Sequence, residues 1–306
     1  MKYAFVISAG LGNQIEMIVP YLHIIKSYPH VDAVYCPEIK EYNPDTLKFW
    51  EIVAQYHGGT MRAMQHGFMP KWWKDYSGSF CCQGRQPWPG IPDLAHNLAP
   101  HRGNEVEHRN KIIPEGEAVK IMLEELPLNW NKYSPNKSEI FDAIICNGGT
   151  LNATWARKRY TRWNDVATLL KEKDLKVASV GLPHEFVQGT VDRTGIGPLD
   201  TMNLISRTRL FLANDSGLYH FASVIGIPTV VVFTATSSVK NHHPVFHRSA
   251  EVVEGWSHGG CPAPCQGAKD SWAFLPTWPN CRRFRCSAFE PLHIMNTRTV
   301  KNAIAK

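Results

Sequence analysis

"NDSGLYHFASVIGIPTVVVF", residues 214–233, decides the fold. Thr229 to Phe233 is short, continuous and β-branched, the pattern of a buried strand. Ahead of it, Leu218, Phe221, Ala222 and Ile225 recur on one face, which predicts a helix over 217–225. Asp215 and Ser216 stand where that helix begins and carry N-cap chemistry. "RLFLA", 209–213, is another short apolar run. The order is therefore strand, polar turn, helix, strand. Its polar turn lies at a strand's C-terminal end and a helix's N-terminal end, where open α/β folds bind phosphate-bearing ligands.

The same alternation extends outward. Upstream, "FDAIICN", 141–147, reads as a strand and is followed by "GGTLNATWARKRYTRW". A helix over 163–173, the strand "KVASVG", an "RTG" loop and a helix over 198–207 come next. At the N-terminus, "KYAFVIS", 2–8, reads as a strand and "GLGN", 10–13, as a turn. Residues 14–29 carry helical spacing with a kink expected at Pro20. "VDAVYCP", 31–37, is a second strand and completes a βαβ unit, so a parallel sheet begins here. Residues 57–110 show no period and read as loops and short elements. Their Trp72, Trp73, Tyr76, Phe80 and Trp88 either stack on a sugar or base or pack in the core. "PLNWNKYSPNKSEI", 127–140, reads as a linker.

Two α/β halves joined by a linker predict two Rossmann-like domains facing a central cleft. A chain of 306 residues is comfortable with that division. Apolar residues make up 43% and charged residues 20%, which excludes a disordered chain. No apolar run is long enough to span a bilayer. The N-terminal apolar run is too short for a signal peptide and leads into a glycine turn, so a cytoplasmic protein is expected. The net charge of +6 is uneven: residues 1–140 hold 14 Lys and Arg against 15 Asp and Glu, the remainder 19 against 12. The second half is the expected seat of an anionic ligand.

These blocks resemble glycosyltransferase family 9, whose best-known members are the lipopolysaccharide heptosyltransferases. "SAGLGNQIEMIVPYLHIIK" looks like the family's glycine turn and first helix. "ICNGGTLNATWARKRYTRWNDVATLL" looks like its phosphate loop and basic-aromatic segment. "VASVGLPHE" is similar to its strand-to-Glu turn, "NDSGLYHFASVIGIPTVVVFTATSS" to its most recognisable block, and "LHIMNTRTVKNAIAK" to its closing helix. The match is absent over roughly 45–135. The resemblance implies the GT-B architecture. Residues 1–135 would be the acceptor domain, 136–290 the nucleotide-sugar domain and 291–306 the C-terminal helix. It also implies inversion at the anomeric carbon without a catalytic metal, with an ADP-sugar as the favoured donor.

Single-displacement transfer must stabilise a departing diphosphate, hold a nucleotide and deprotonate an acceptor hydroxyl. The backbone at Ser216 and Gly217 suits the diphosphate. Asp215 beside it orients the turn, accepts a sugar hydroxyl or merely caps the helix. Lys158, at a position where the family carries Lys, and Arg157 bring positive charge, and Thr150 and Thr154 bring hydroxyl and backbone donors. Glu185 follows a strand by a short loop, as does the family's Glu, and suits the ribose hydroxyls. His220 either touches the donor or packs between helices. Gly12 belongs to the first glycine turn. The heptosyltransferases carry an Asp in that turn where this chain has Asn13, whose amide takes no proton. Glu16 lies three residues on, near the same face of the helix start. The base is Glu16, another carboxylate from 38–107, or the acceptor differs. Asn13 is left to position the acceptor.

Of eight cysteines, Cys261, Cys265, Cys281 and Cys286 are spaced C-x3-C-x15-C-x4-C. That spacing points to a structural four-thiolate knuckle for zinc or iron, closed to catalysis. Cys36, Cys81, Cys82 and Cys146 read as buried thiols. The leading function is an inverting glycosyltransferase acting on a hydroxyl acceptor such as lipopolysaccharide core. Alternatives are a protein or DNA acceptor, or a nucleotide-sugar-binding pseudoenzyme of the same shape. A near-neutral acceptor half speaks against DNA.

Overall fold

The computed structural model describes residues 1–254 except 9, 37–42, 65–67, 82–87, 96–103, 115, 134–138, 149–157 and 235. Two parallel sheets form two lobes. The first holds β1 (Tyr3–Ile7), β2 (Val31–Tyr35), β3 (Thr60–Ala63), β4 (Gly78–Cys81) and β5 (Asp93–Ala95) in the order 3-2-1-4-5. The second holds β6 (Ala143–Cys146), β7 (Val177–Gly181), β8 (Val191–Thr194), β9 (Leu210–Asn214), β10 (Thr229–Phe233) and β11 (Ala250–Glu254) in the order 11-10-9-6-7-8. Every pair is parallel. In each sheet the chain winds outward from a central strand and later starts the opposite flank, so the order reverses between β1 and β4 and between β6 and β9. That reversal opens a crevice at the strands' C-terminal ends.

The helices are α1 (Leu11–Glu16), α2 (Ile18–Ser27), α3 (Pro44–Tyr56), α4 (Glu105–Arg109), α5 (Glu117–Glu124), α6 (Trp130–Tyr133), α7 (Trp163–Lys171), α8 (Pro198–Ile205), α9 (Gly217–Val224) and α10 (Ser238–Asn241). The opening stretch folds as read. β10 is buried at all five positions, and α9 begins at Gly217. Ser216 is the N-cap residue, but its side chain makes no capping bond.

Elsewhere the structure amends the reading. The expected turn at 10–13 is already helical from Leu11. The break in the first helical segment falls at Met17, not at Pro20. Pro20 causes it from three residues away. It lacks the N–H that would bond Glu16, so it sits in the first turn of a new helix, where that N–H has no role. Residues 57–110 contribute three strands and α4. β3 reads "TMRA" and β4 "GSFC", segments too short and too poor in alternation to declare themselves. Trp73, Tyr76, Phe80 and Trp88 are buried core. Trp72 lies under the Arg62 guanidinium, 4.8 Å from its ring centre. The domain boundary expected at 135/136, the knuckle and the closing helix over 291–306 lie outside the described residues.

The first part of the expected linker, 127–133, is packed between the lobes. Leu128 N–H bonds the Val224 carbonyl at 2.8 Å. Trp130 lies between Phe49 of α3 and Phe221 of α9, with ring centres 5.6 and 5.1 Å away. Its indole N–H donates to Asn203 Oδ1 at 2.9 Å. A second bridge runs from Asp45 of α3, whose Oδ2 accepts from Leu199 N–H at the start of α8. Gly197 permits this approach, because a Cβ there would lie 2.1 Å from Asp45 Oδ2. Trp130→Ala empties an aromatic site shared by both lobes and should cost about 3–5 kcal/mol. Urea denaturation followed by Trp fluorescence and far-ultraviolet dichroism measures the loss.

Candidate functional site

A cavity of about 670 Å³ lies between the lobes at the sheets' switch points. The start of α1, the ends of β6, β7 and β9 and the first turn of α9 all reach it. Gly12 and Gly217 let the two lobes meet there. A Cβ on Gly12 would sit 2.9 Å from the His220 ring and 3.3 Å from Gly217 Cα; one on Gly217 would sit 3.0 Å from Gly12 N.

On the C-terminal side, Asn214 ties the site together. Fully buried, it accepts from Tyr160 N–H and Trp163 Nε1–H through Oδ1 and donates through Nδ2 to the Gly148 carbonyl. Three segments far apart in the chain are thereby fixed around the end of β9. Asp215 accepts from Lys158 Nζ at 2.8 Å, and both residues line the cavity. Burial opposes the Asp215 charge, but Lys158 and His220 outweigh it and hold the carboxyl below its usual range. Glu185 is 3% exposed and also lines the cavity. Its Oε2 accepts from Leu182 N–H at 2.8 Å, which shapes the loop after β7, and its Oε1 faces Arg159 at 3.5 Å.

On the N-terminal side, Arg109 is the organiser. Its Nε donates to Glu16 Oε2 at 2.6 Å and its Nη2 to Asn13 Oδ1. Asn13 therefore keeps its NH₂ as the group to offer a ligand in the cavity it lines. Glu16 is fully buried one layer behind, and its Oε1 has no hydrogen-bond partner among the described residues. That oxygen lies 3.5 Å from His220 Nδ1. His220 lines the cavity and bonds His247 at 2.9 Å between Nδ1 and Nε2. Burial holds His220 below the usual imidazole range, against the pull of Glu16 and Asp215, and holds His247 well below it.

The structure thus brings together Gly12, Asn13, Lys158, Glu185, Asp215, Ser216, Gly217 and His220, with Glu16 behind them. Thr150, Thr154, Arg157 and the four cysteines Cys261, Cys265, Cys281 and Cys286 lie outside the described residues. Arg109 and His247 escaped the sequence reading. Arg109 falls in the aperiodic 57–110 stretch, and His247 is one of 14 histidines with no motif around it.

Two parallel Rossmann-like lobes with a polar site between them define a GT-B-type protein. Solved structures agree on the fold. E. coli ADP-heptose lps heptosyltransferase II is similar over 97% of this chain and 99% of its own, at 13% identity and a TM-score of 0.58. E. coli heptosyltransferase WaaC with ADP is similar over 93% and 98%, at 12% and 0.55. The dodecameric iron-containing heptosyltransferase TibC of enterotoxigenic E. coli, in complex with ADP-D-β-D-heptose, is similar over 99% of this chain and 74% of its own, at 14% and 0.61. The sequence model of glycosyltransferase family 9 (heptosyltransferase) matches residues 193–270. No curated protein sequence matches. The chain shares the fold of these heptosyltransferases, and its 193–270 segment carries the sequence pattern of glycosyltransferase family 9. Among the described residues no helix is long and apolar enough to cross a membrane.

Arg109→Met strands the Glu16 carboxylate without its partner and should cost about 3–5 kcal/mol. Adding Glu16→Gln to the same chain should recover much of that loss, which denaturation midpoints measure.

Proposed function

We propose that the protein is an inverting glycosyltransferase that moves a heptose-like sugar from an ADP-sugar to a hydroxyl acceptor such as lipopolysaccharide core. One observation carries the reading: Lys158 and the Ser216–Gly217 turn converge on a crevice where the strand order reverses. The backbone at the start of α9 and the Lys158 ammonium suit a diphosphate whose charge grows as it leaves. Thr150, Thr154 and Arg157 join them on sequence grounds. Glu185 and the loop it shapes suit the nucleotide ribose. The relatives solved with ADP or ADP-D-β-D-heptose support the choice of donor base.

In the transfer, the acceptor oxygen forms a bond to the anomeric carbon on the face opposite the diphosphate. The bond from that carbon to the diphosphate oxygen breaks, and the acceptor proton goes to a base. Asn13 NH₂ orients the acceptor. Glu16, buried behind Asn13 with an Oε1 that has no hydrogen-bond partner among the described residues, takes the proton. Asn13 alone favours a second reading, a protein that binds a nucleotide sugar without transferring it, because an amide stands where the heptosyltransferases carry an acid. No catalytic metal is part of the proposal. Cys261, Cys265, Cys281 and Cys286 are proposed to hold a structural zinc or iron, and TibC is described as iron-containing. A cytoplasmic location is also proposed, since Cys36, Cys81 and Cys146 are buried free thiols.

A thermal-shift screen of ADP-, UDP-, GDP- and CDP-sugars should single out ADP, and transfer to a lipopolysaccharide-core acceptor should follow. Lys158→Ala should lower kcat/KM by about 10²-fold or more. Glu16→Gln should abolish transfer while ADP still binds, and undiminished transfer would remove Glu16 as the base. Metal analysis should find close to one equivalent of zinc or iron that Cys261→Ser and Cys281→Ser both lose.

A further inference from the structure

Behind His220 lies a relay that fixes where its proton sits. The His243 backbone N–H donates to His247 Nδ1 at 2.8 Å. A neutral imidazole carries one proton, so that of His247 is on Nε2. Nε2 faces His220 Nδ1 at 2.9 Å, and both rings are buried. His220 Nδ1 is therefore the acceptor, and the proton of His220 is on Nε2. That nitrogen lies 4.0 Å from Asp215 Oδ1, at the wall of the cavity that His220 lines.

Without the relay, the His220 proton has a better place. Glu16 Oε1 is buried, has no hydrogen-bond partner among the described residues and lies 3.5 Å from His220 Nδ1. A proton on Nδ1 would satisfy it. The bare Nε2 would then turn a lone pair toward the cavity, which repels a phosphate oxygen. We propose that His247, set by the His243 backbone, is a positioning residue that holds His220 as an Nε2–H donor toward the diphosphate of a bound nucleotide and keeps Glu16 Oε1 free. The ligand part of this inference rests on the donor reading above; the tautomer part does not.

Glu16, His220 and His247 each offer a ligand atom within 4.8 Å of those of the other two, a spacing that suits a cation. The donor set does not fit one. With its Nδ1 already accepting a backbone N–H, His247 carries its proton on Nε2 and has no lone pair there for a metal.

The groups facing His220 fix the sign of its pH behaviour. Glu16 on α1 and Asp215 before α9 favour its charged form, whereas Lys158 and Arg109 disfavour it. His247 and His242 face it from the segment after α10. Burial is the largest influence and keeps the ring neutral. His247→Phe keeps a ring to stack on Tyr219, now 4.6 Å away and nearly parallel, and removes the N–H. His220 is then free to place its proton on Nδ1. Acid restores the Nε2–H by charging the ring.

Nitrogen-detected NMR of the ligand-free protein should report His220 with a protonated Nε2 and a bare Nδ1. A His220 protonated on Nδ1 overturns the relay whatever the protein binds. By calorimetry, His247→Phe should bind ADP about 10-fold or more weakly at pH 8. The deficit should shrink only once pH falls below the usual imidazole range, because burial keeps His220 neutral above it, and His247→Gln, which retains an amide donor, should bind nearly as the wild type does. A pH-independent deficit, equal in both variants, overturns the positioning role. Failure of the wild-type chain to bind ADP would refute the donor reading instead, and the NMR result would still decide the tautomer.

Discussion

Two helix starts from different lobes meet with no side chain between them. Gly12 and Gly217 place the α1 and α9 backbones in contact, and any Cβ at either position would collide with the other strand of chain or with His220. Everything at the site follows from that approach. Only at this separation does Asn13 of one lobe share a cavity with Lys158, Asp215 and His220 of the other, while Glu16 behind it comes within 3.5 Å of His220. The aromatic stack of Phe49, Trp130 and Phe221 and the Asp45 contact to α8 hold the lobes at this distance from the far side.

Charge inside the cleft is arranged in pairs. Lys158 pairs with Asp215 and Arg159 with Glu185 in the C-terminal lobe, while Arg109 pairs with Glu16 in the N-terminal one. Each buried carboxylate has a cation beside it, which is how ionised groups persist out of water. An incoming diphosphate would compete with Asp215 for Lys158.

Four strands of the second lobe were legible because they are buried on both faces, whereas β8, where an "RTG" loop was expected, and β11 are partly exposed and escaped the reading. Strands buried on both faces read as continuous β-branched runs, and β6, β7, β9 and β10 fell within a residue or two of expectation. The first lobe was legible only as far as β2. Its later strands are three or four residues long and carry Gly, Ser, Arg or Asp, so neither period nor composition separates them from loop. They become strands because β1 and β2 offer edges on which to pair. The linker misled for a similar reason: Asn, Ser and Pro mark it as flexible, yet Leu128 and Trp130 are buried in the joint.

By itself the sequence determined the α/β class, the two halves, the polar turn at 214–217 and most of the polar residues that line the cavity, because these depend on local pattern. Only the tertiary structure decided how those residues are used. Arg109 reaches Glu16 and Asn13 from 93 and 96 positions away, and His247 meets His220 from 27. No local rule encodes such meetings. They arise when two sheets, each correct in its own pattern, are brought together at a pair of glycines, and the partners found there fix which atom of Asn13 and His220 is left for a ligand.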